Sequence, residues 1–264
     1  MKRRPTIGLA LGSGGSRGIA HIGVIKVLEK AGIPIDYIAG SSIGAMIGGL
    51  YAFRKDIRAV ERLALSLDWK MAISLIDPSV RQGLVKGAKW EQFLRDQLGF
   101  VAIDQLQIPL QIVATNLDTG QTVCLDHGDL VEATRASISI PLVFKPVAYH
   151  GQSLADGGLS MPVPVDIVRR MGADIVIAVN VEGDLFDYRS QSRFGWTKIA
   201  RTSIDLLRYH LANQEAETAD VVITVHSRRG KLIEEVTWDA KQLISAGERC
   251  AKLAIPMILE RLKV

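Results

Sequence analysis

Two periods of apolar spacing alternate along the chain. Short apolar runs suited to buried strands lie at residues 6–11, 35–40, 110–115, 121–125, 174–181 and 221–225. Between them, apolar residues recur at helical spacing over 19–30 (Ile22, Ile25, Leu28), 42–54, 130–136, 163–171, 192–217 and 239–262. Gly32 and Pro34 stop the first of these helices. Asp118-Thr119-Gly120 reads as a turn between two strands, and residues 147–155 read as a hairpin turning at His150-Gly151. Ile57, Val60, Leu63, Ala64 and Leu67 keep helical spacing, as do Trp90, Phe93, Leu94 and Leu98, so 57–98 is amphipathic, with lid and core as open alternatives. Residues 182–193 are polar without periodicity and are expected to form a mobile loop.

Alternating strand and helix units predict an α/β fold, a mostly parallel central sheet with helices on both faces. The expected organisation is a single domain over 1–264. Its motif-bearing core lies at about 7–181 and a helix–strand–helix unit at 192–262.

Composition narrows the function classes. The chain has 264 residues, 48% hydrophobic and 23% charged, within the ordinary range of soluble globular proteins. Its net charge of +4, from 32 basic and 28 acidic residues, is too small to argue for a nucleic-acid partner. Cys124 and Cys250 are far apart, the five histidines are scattered, and no metal-ligand spacing occurs, so neither a metal nor a cofactor is expected. A reduced, cytoplasmic chain is the simplest account. The basic start MKRRP precedes an apolar stretch that soon runs into glycines, which reads as a first strand instead of a signal peptide. No stretch approaches the roughly 18 apolar residues of a membrane span.

Candidate chemistry gathers at three glycine-rich places. Gly40-Ser41-Ser42-Ile43-Gly44 reads G-x-S-x-G between an apolar strand and a helix, the context of a nucleophile elbow. Gly12-Ser13-Gly14-Gly15-Ser16-Arg17-Gly18 also follows a strand and opens a helix, where free amides converge on an anion or an oxyanion. Counted from Gly12, the dinucleotide fingerprint fails at Arg17, and no G-K-[ST] is present. Asp156-Gly157-Gly158 offers an aspartate beside residues that permit close backbone approach, though such a sequence is also an ordinary turn. A conventional triad requires a histidine after the acid, and only His210 and His226 follow Asp156.

In this order, GSGGSRG, GSSIG and DGG resemble the patatin-like phospholipases, and Ala136-Ser137-Ile138-Ser139-Ile140-Pro141-Leu142-Val143-Phe144-Lys145-Pro146 matches the stretch before the family's aspartate. The resemblance covers about two thirds of the chain and looks most like the small single-domain bacterial branch. Met161 departs from the pattern, standing where many members carry asparagine.

The resemblance implies a three-layer α/β sandwich and a serine lipid acyl hydrolase, of phospholipase, lysophospholipase or carboxylesterase type. Ser42 would be the nucleophile and Asp156 the general base, with no histidine. Gly14, Gly15 and Ser16 would form the oxyanion hole. Gly12, Arg17, Gly18, Gly40, Gly44, Gly157 and Gly158 would support the motifs, Arg17 also being placed to attract a lipid phosphate. The expected partner is an acyl lipid or ester, with transient contact at the inner membrane surface. Two other readings stay open on the residues alone. One is a His-dependent esterase using His210 or His226; the other is a non-catalytic phosphate- or nucleotide-binding regulator built on the glycine loop.

Overall fold

The computed structural model describes residues 3–66, 86–183, 195–226 and 239–263. Its strands are β1 (Ile7–Leu11), β2 (Tyr37–Ser41), β3 (Leu110–Asn116), β4 (Thr122–Leu125), β5 (Val147–Tyr149), β6 (Gln152–Asp156), β7 (Ile175–Asn180) and β8 (Val221–Thr224). The helices are α1 (Ala20–Lys30), α2 (Ile43–Arg54), α3 (Ile57–Ser66), α4 (Ala88–Leu98), α5 (Leu130–Ser137), α6 (Val165–Arg170), α7 (Trp196–Ala216) and α8 (Ala240–Arg261).

Among the described residues, eight strands form one mixed sheet with hydrogen-bonded neighbours in the order β5-β6-β3-β2-β1-β7-β8, and β4 also pairs with β3. The five strands β3, β2, β1, β7 and β8 pair in parallel. The other three are antiparallel to their neighbours. The expected parallel sheet therefore carries an antiparallel margin. The β3–β4 and β5–β6 links are too short for a crossover, and His150 and Gly151 both take positive φ in the two-residue hairpin turn.

Side chains along the strands alternate between two cores, as the pleat requires. Ile7, Leu9 and Leu11 of β1 face a large cluster shared with α1, α2, α3, α4, α5 and α8. Ala10 of β1 and Val176 and Ala178 of β7 face a smaller one closed by α6 and α7. Helices thus cover both faces. Ile57, Val60 and Ala64 of α3 and Leu94 and Leu98 of α4 are buried in the larger cluster. Within 57–98, the described apolar stripes accordingly belong to the core; residues 67–85 lie outside the described residues.

The register of β3 decides where the chemistry can gather. β4 occupies one edge of β3 over Ile112–Thr115. Both β2 and β6 must then share the opposite edge. β2 pairs as far as Ser41↔Val113, and β6 takes over at Asp156↔Ala114. The end of β2 and the end of β6 therefore meet beside consecutive residues of one strand.

Helix α5 flanks this junction and begins with a firm cap. Asp129 accepts from the amides of Val131 and Glu132, each at 3.0 Å, while Arg95 grips both its oxygens at 2.6 and 2.8 Å. Loss of an N-cap carboxylate costs about 1–2 kcal/mol. Asp129→Ala is expected to lower the thermal midpoint by several degrees, as followed by circular dichroism.

Candidate active site

Ser42 stands between β2 and α2 with φ 56° and ψ −122°, a strained conformation for a residue with a Cβ. The flanking glycines make that turn possible. A Cβ on Gly40 would lie 2.5 Å from the Ala45 nitrogen, and one on Gly44 would lie 2.1 Å from the Leu11 carbonyl oxygen. This is the local geometry of a nucleophile elbow. Ser42 occupies the N-cap position of α2, yet its side chain makes no capping bond. Its Oγ donates instead to Asp156 Oδ2 at 2.6 Å.

Asp156 is buried at the end of β6. Its Oδ1 accepts the Gly158 amide at 2.7 Å, and its main-chain carbonyl accepts from Thr115 Oγ1 at 2.8 Å. Gly157 must be small, because a Cβ there would lie 2.2 Å from the Val113 carbonyl oxygen and 2.8 Å from Ser41 Oγ. Burial pushes the Asp156 carboxyl up to about 6 from an ordinary 3.8. The Ser42 hydrogen bond, the Arg208 charge and the Gly158 amide oppose that rise, and the Glu182 charge adds to it.

Ser137, which the sequence reading did not single out, braces the elbow. Its Oγ donates to the Val113 carbonyl at 2.6 Å and accepts the Ser42 amide at 2.8 Å. Its only earlier signal was membership of the matched 136–146 stretch.

The glycine loop lies against both halves of this pair. A Cβ on Gly18 would meet the Ile43 side chain at 2.1 Å, which places the loop beside the first turn of α2. The Ser13 amide binds the Pro162 carbonyl at 2.8 Å, which ties the loop to the segment after Asp156. Gly14 and Gly15 have φ of 157° and 56°, and a 3-10 turn opens at Gly15. The amides of Gly15 and Ser16, as first-turn donors, have no carbonyl to bind within that turn. Arg17 Nε donates to the Gly14 carbonyl at 3.3 Å and so braces the loop.

His21 secures the start of the same loop. Its Nε2 lies 2.8 Å from the Gly12 carbonyl oxygen, so Nε2 carries the proton and donates. Complete burial lowers its pKa to about 4, which leaves the ring neutral at pH 7. His210 and His226 are exposed. Met161, the departure from the family pattern, is half-buried against the smaller core, and its amide binds the Gly157 carbonyl at 2.9 Å.

One expectation is corrected. Glu182, the first residue of the anticipated mobile loop, lies two residues beyond β7 and is completely buried and paired with Arg208 of α7. Residues 184–193 of that loop lie outside the described residues.

A family model described as "Patatin-like phospholipase" matches residues 9–169, which contain the glycine loop, the elbow and the Asp156 turn. The chain belongs to the patatin-like phospholipase family. An uncharacterised NTE family protein of Mycobacterium tuberculosis is 44% identical over 180 residues, covering 68% of this chain and 50% of that protein. Lysophospholipase nte1 of Emericella nidulans is 35% identical over 181 residues, covering 66% of this chain and 12% of that one. This patatin-like chain thus spans about half the length of its mycobacterial relative. Among solved structures, VipD from Legionella pneumophila matches with a TM-score of 0.67 at 14% identity, over 97% of this chain and 67% of that one. The ExoU–SpcU complex from Pseudomonas aeruginosa matches with a TM-score of 0.56 at 17% identity, over 100% of this chain and 53% of that one. At these identities the likeness concerns the fold alone. Among the described residues, no helix is long and apolar enough to cross a membrane.

Proposed function

We propose that this patatin-like chain is a serine lipid acyl hydrolase working through a Ser42–Asp156 dyad and an acyl-enzyme. The observation that carries the proposal is the 2.6 Å hydrogen bond from the strained Ser42 hydroxyl to the buried Asp156 carboxylate. A serine hydroxyl becomes nucleophilic when a positioned base takes its proton, and a base with a pKa of about 6 is suited to work near neutrality.

In the proposed reaction, Ser42 Oγ attacks the ester carbonyl carbon as its proton passes to Asp156. The oxyanion is held by the amides of Gly14, Gly15 and Ser16. The tetrahedral species collapses, the ester C–O bond breaks, and the leaving alkoxide takes the proton from Asp156. Water then attacks the acyl-enzyme, giving one proton to Asp156, and that proton returns to Ser42 as the fatty acid departs. The lysophospholipase name of the fungal relatives supports an acyl lipid as substrate. The Ser42 hydroxyl is already bonded to Asp156, which favours the dyad over a His-dependent triad.

Rapid mixing with a short-chain nitrophenyl ester tests the proposal. A burst of nitrophenolate equal to the number of enzyme molecules, with the acyl group mapped to Ser42, is expected. Acylation of another residue, or turnover by Ser42→Ala, would sink it. The acid limb of the kcat/KM profile should fall near pH 6, since protonated Asp156 cannot accept the serine proton. A limb near pH 4 would show that the base is an unperturbed carboxylate.

A further inference from the structure

Glu182 lies two residues beyond β7 and is completely buried. Its Oε1 accepts from Arg208 Nε at 3.0 Å, from Arg208 Nη2 and from Ser13 Oγ at 3.1 Å. Its main-chain amide is fixed by Asn180 Oδ1 at 2.9 Å. Oε2 has no hydrogen-bond partner among the described residues. Arg208 projects from α7 and is itself largely buried; Asp205, one turn earlier, lies 3.8 Å away. Neither Glu182 nor Arg208 bonds to Ser42.

Ser13, whose hydroxyl is bonded to Glu182, brings this pair towards Asp156 at Gly158. The site of a Cβ on Gly158 lies 2.8 Å from Ser13 Oγ and 2.9 Å from Asp156 Oδ1. The hydroxyl held by Glu182 and the carboxylate held by Ser42 therefore crowd the same point. Among the described residues, Arg208 and Glu182 are charged side chains that act on Asp156, with opposite signs. The cluster contains two buried carboxylates and one guanidinium. A buried ion pair is commonly no more stabilising than well-packed apolar side chains of similar volume. Stability alone is thus a weak reason for this pair to stand behind the dyad.

We propose that Glu182 and Arg208 are positioning residues for the Asp156 base. Arg208 supplies its counter-charge, while Glu182 holds Arg208 in place and, through Ser13, ties the glycine loop to the same anchor. This rests on the Ser42–Asp156 reading above. The two charges pull on Asp156 in opposite directions, so removing each one has an opposite signature. Glu182→Gln leaves Arg208 uncompensated and favours ionised Asp156. Arg208→Gln removes the attraction and leaves a second carboxylate facing Asp156. An opposite charge nearby lowers a carboxyl and a like charge raises it.

The test is the kcat/KM profile of nitrophenyl ester hydrolysis from pH 4 to 9, with folding checked by circular dichroism. Glu182→Gln should move the acid limb down by about one pH unit, and Arg208→Gln should move it up by about as much. Arg208→Lys, which keeps the charge, should return the limb close to its wild-type position. If Arg208→Gln does not fold, Glu182→Gln and Arg208→Lys still decide the matter. Activity lowered evenly at all pH values, with the limb unmoved in Glu182→Gln, would reduce the pair to a structural brace and overturn the proposal. The two readings fail separately. Full turnover by Asp156→Asn defeats the dyad, whereas an inactive Asp156→Asn with unmoved limbs defeats only the role of the pair.

Discussion

Replacing Asp156 with asparagine is expected to lower kcat for a nitrophenyl ester by on the order of 10⁴-fold, comparable to neutralising the acid of a serine triad. Asparagine has the size and shape of aspartate, and its oxygen can still accept from the Gly158 amide. It cannot take a proton from Ser42. The loss should therefore appear in kcat, with KM nearly unchanged.

Stability should move the other way. The Asp156 carboxyl is raised from 3.8 to about 6 in the folded chain by burial, so its ionised form is disfavoured there. Such a group contributes stability below its unfolded pKa that is lost as pH rises through the folded value. Above pH 6 the buried charge costs up to about 3 kcal/mol. Asp156→Asn removes that cost and should melt at or above the wild-type temperature at pH 7, while remaining inactive. A variant that is inactive because it is unfolded would not fit this account.

Gly44→Ala is the second large effect, and its cause is steric. The added methyl would lie 2.1 Å from the Leu11 carbonyl oxygen, 2.6 Å from its carbon and 2.8 Å from the Gly12 carbonyl oxygen. These are backbone atoms at the end of a central strand and cannot turn aside as a side chain would. The first turn of α2 must move away from the glycine loop, carrying Ser42 with it. Misplacement of a reacting group by about 1 Å can cost 10²-fold in rate, and overpacking of this kind typically costs about 1–3 kcal/mol. Steady-state kinetics and thermal unfolding of Gly44→Ala should show both losses. Gly32→Ala is the contrasting case. Gly32 has φ 69° but open space around it, so alanine there should cost about 1 kcal/mol of backbone strain and leave activity unchanged.

The elbow and the DGG turn were legible because their requirements are local. A strand–turn–helix with glycines at Gly40 and Gly44 constrains its own backbone, and an adjacent-residue motif displays that directly. The hairpin at His150-Gly151 was legible for the same reason. The joining of Ser42 to Asp156 was not readable from spacing, because it depends on β2 and β6 sharing one edge of β3. Strand register across a separation of 114 positions leaves no periodic trace in the sequence. The family resemblance anticipated the pairing where pattern reading could not. Glu182 escaped notice because the segment it opens is polar and lacks periodicity. Its burial follows from a partner, Arg208, one helix later, and composition within a short window cannot display such a pair. Ser137 escaped because a hydroxyl that braces an amide looks like any helix-terminal serine.

Direct activation of Ser42 by Asp156 should set the rate at which a fluorophosphonate labels Ser42. Wild-type protein should be labelled at Ser42 alone. Asp156→Asn should react at least about a hundredfold more slowly, while His210→Ala and His226→Ala keep the wild-type rate. Labelling of Asp156→Asn at the wild-type rate, or loss of labelling in either histidine variant, would show that Asp156 is not the base that activates Ser42.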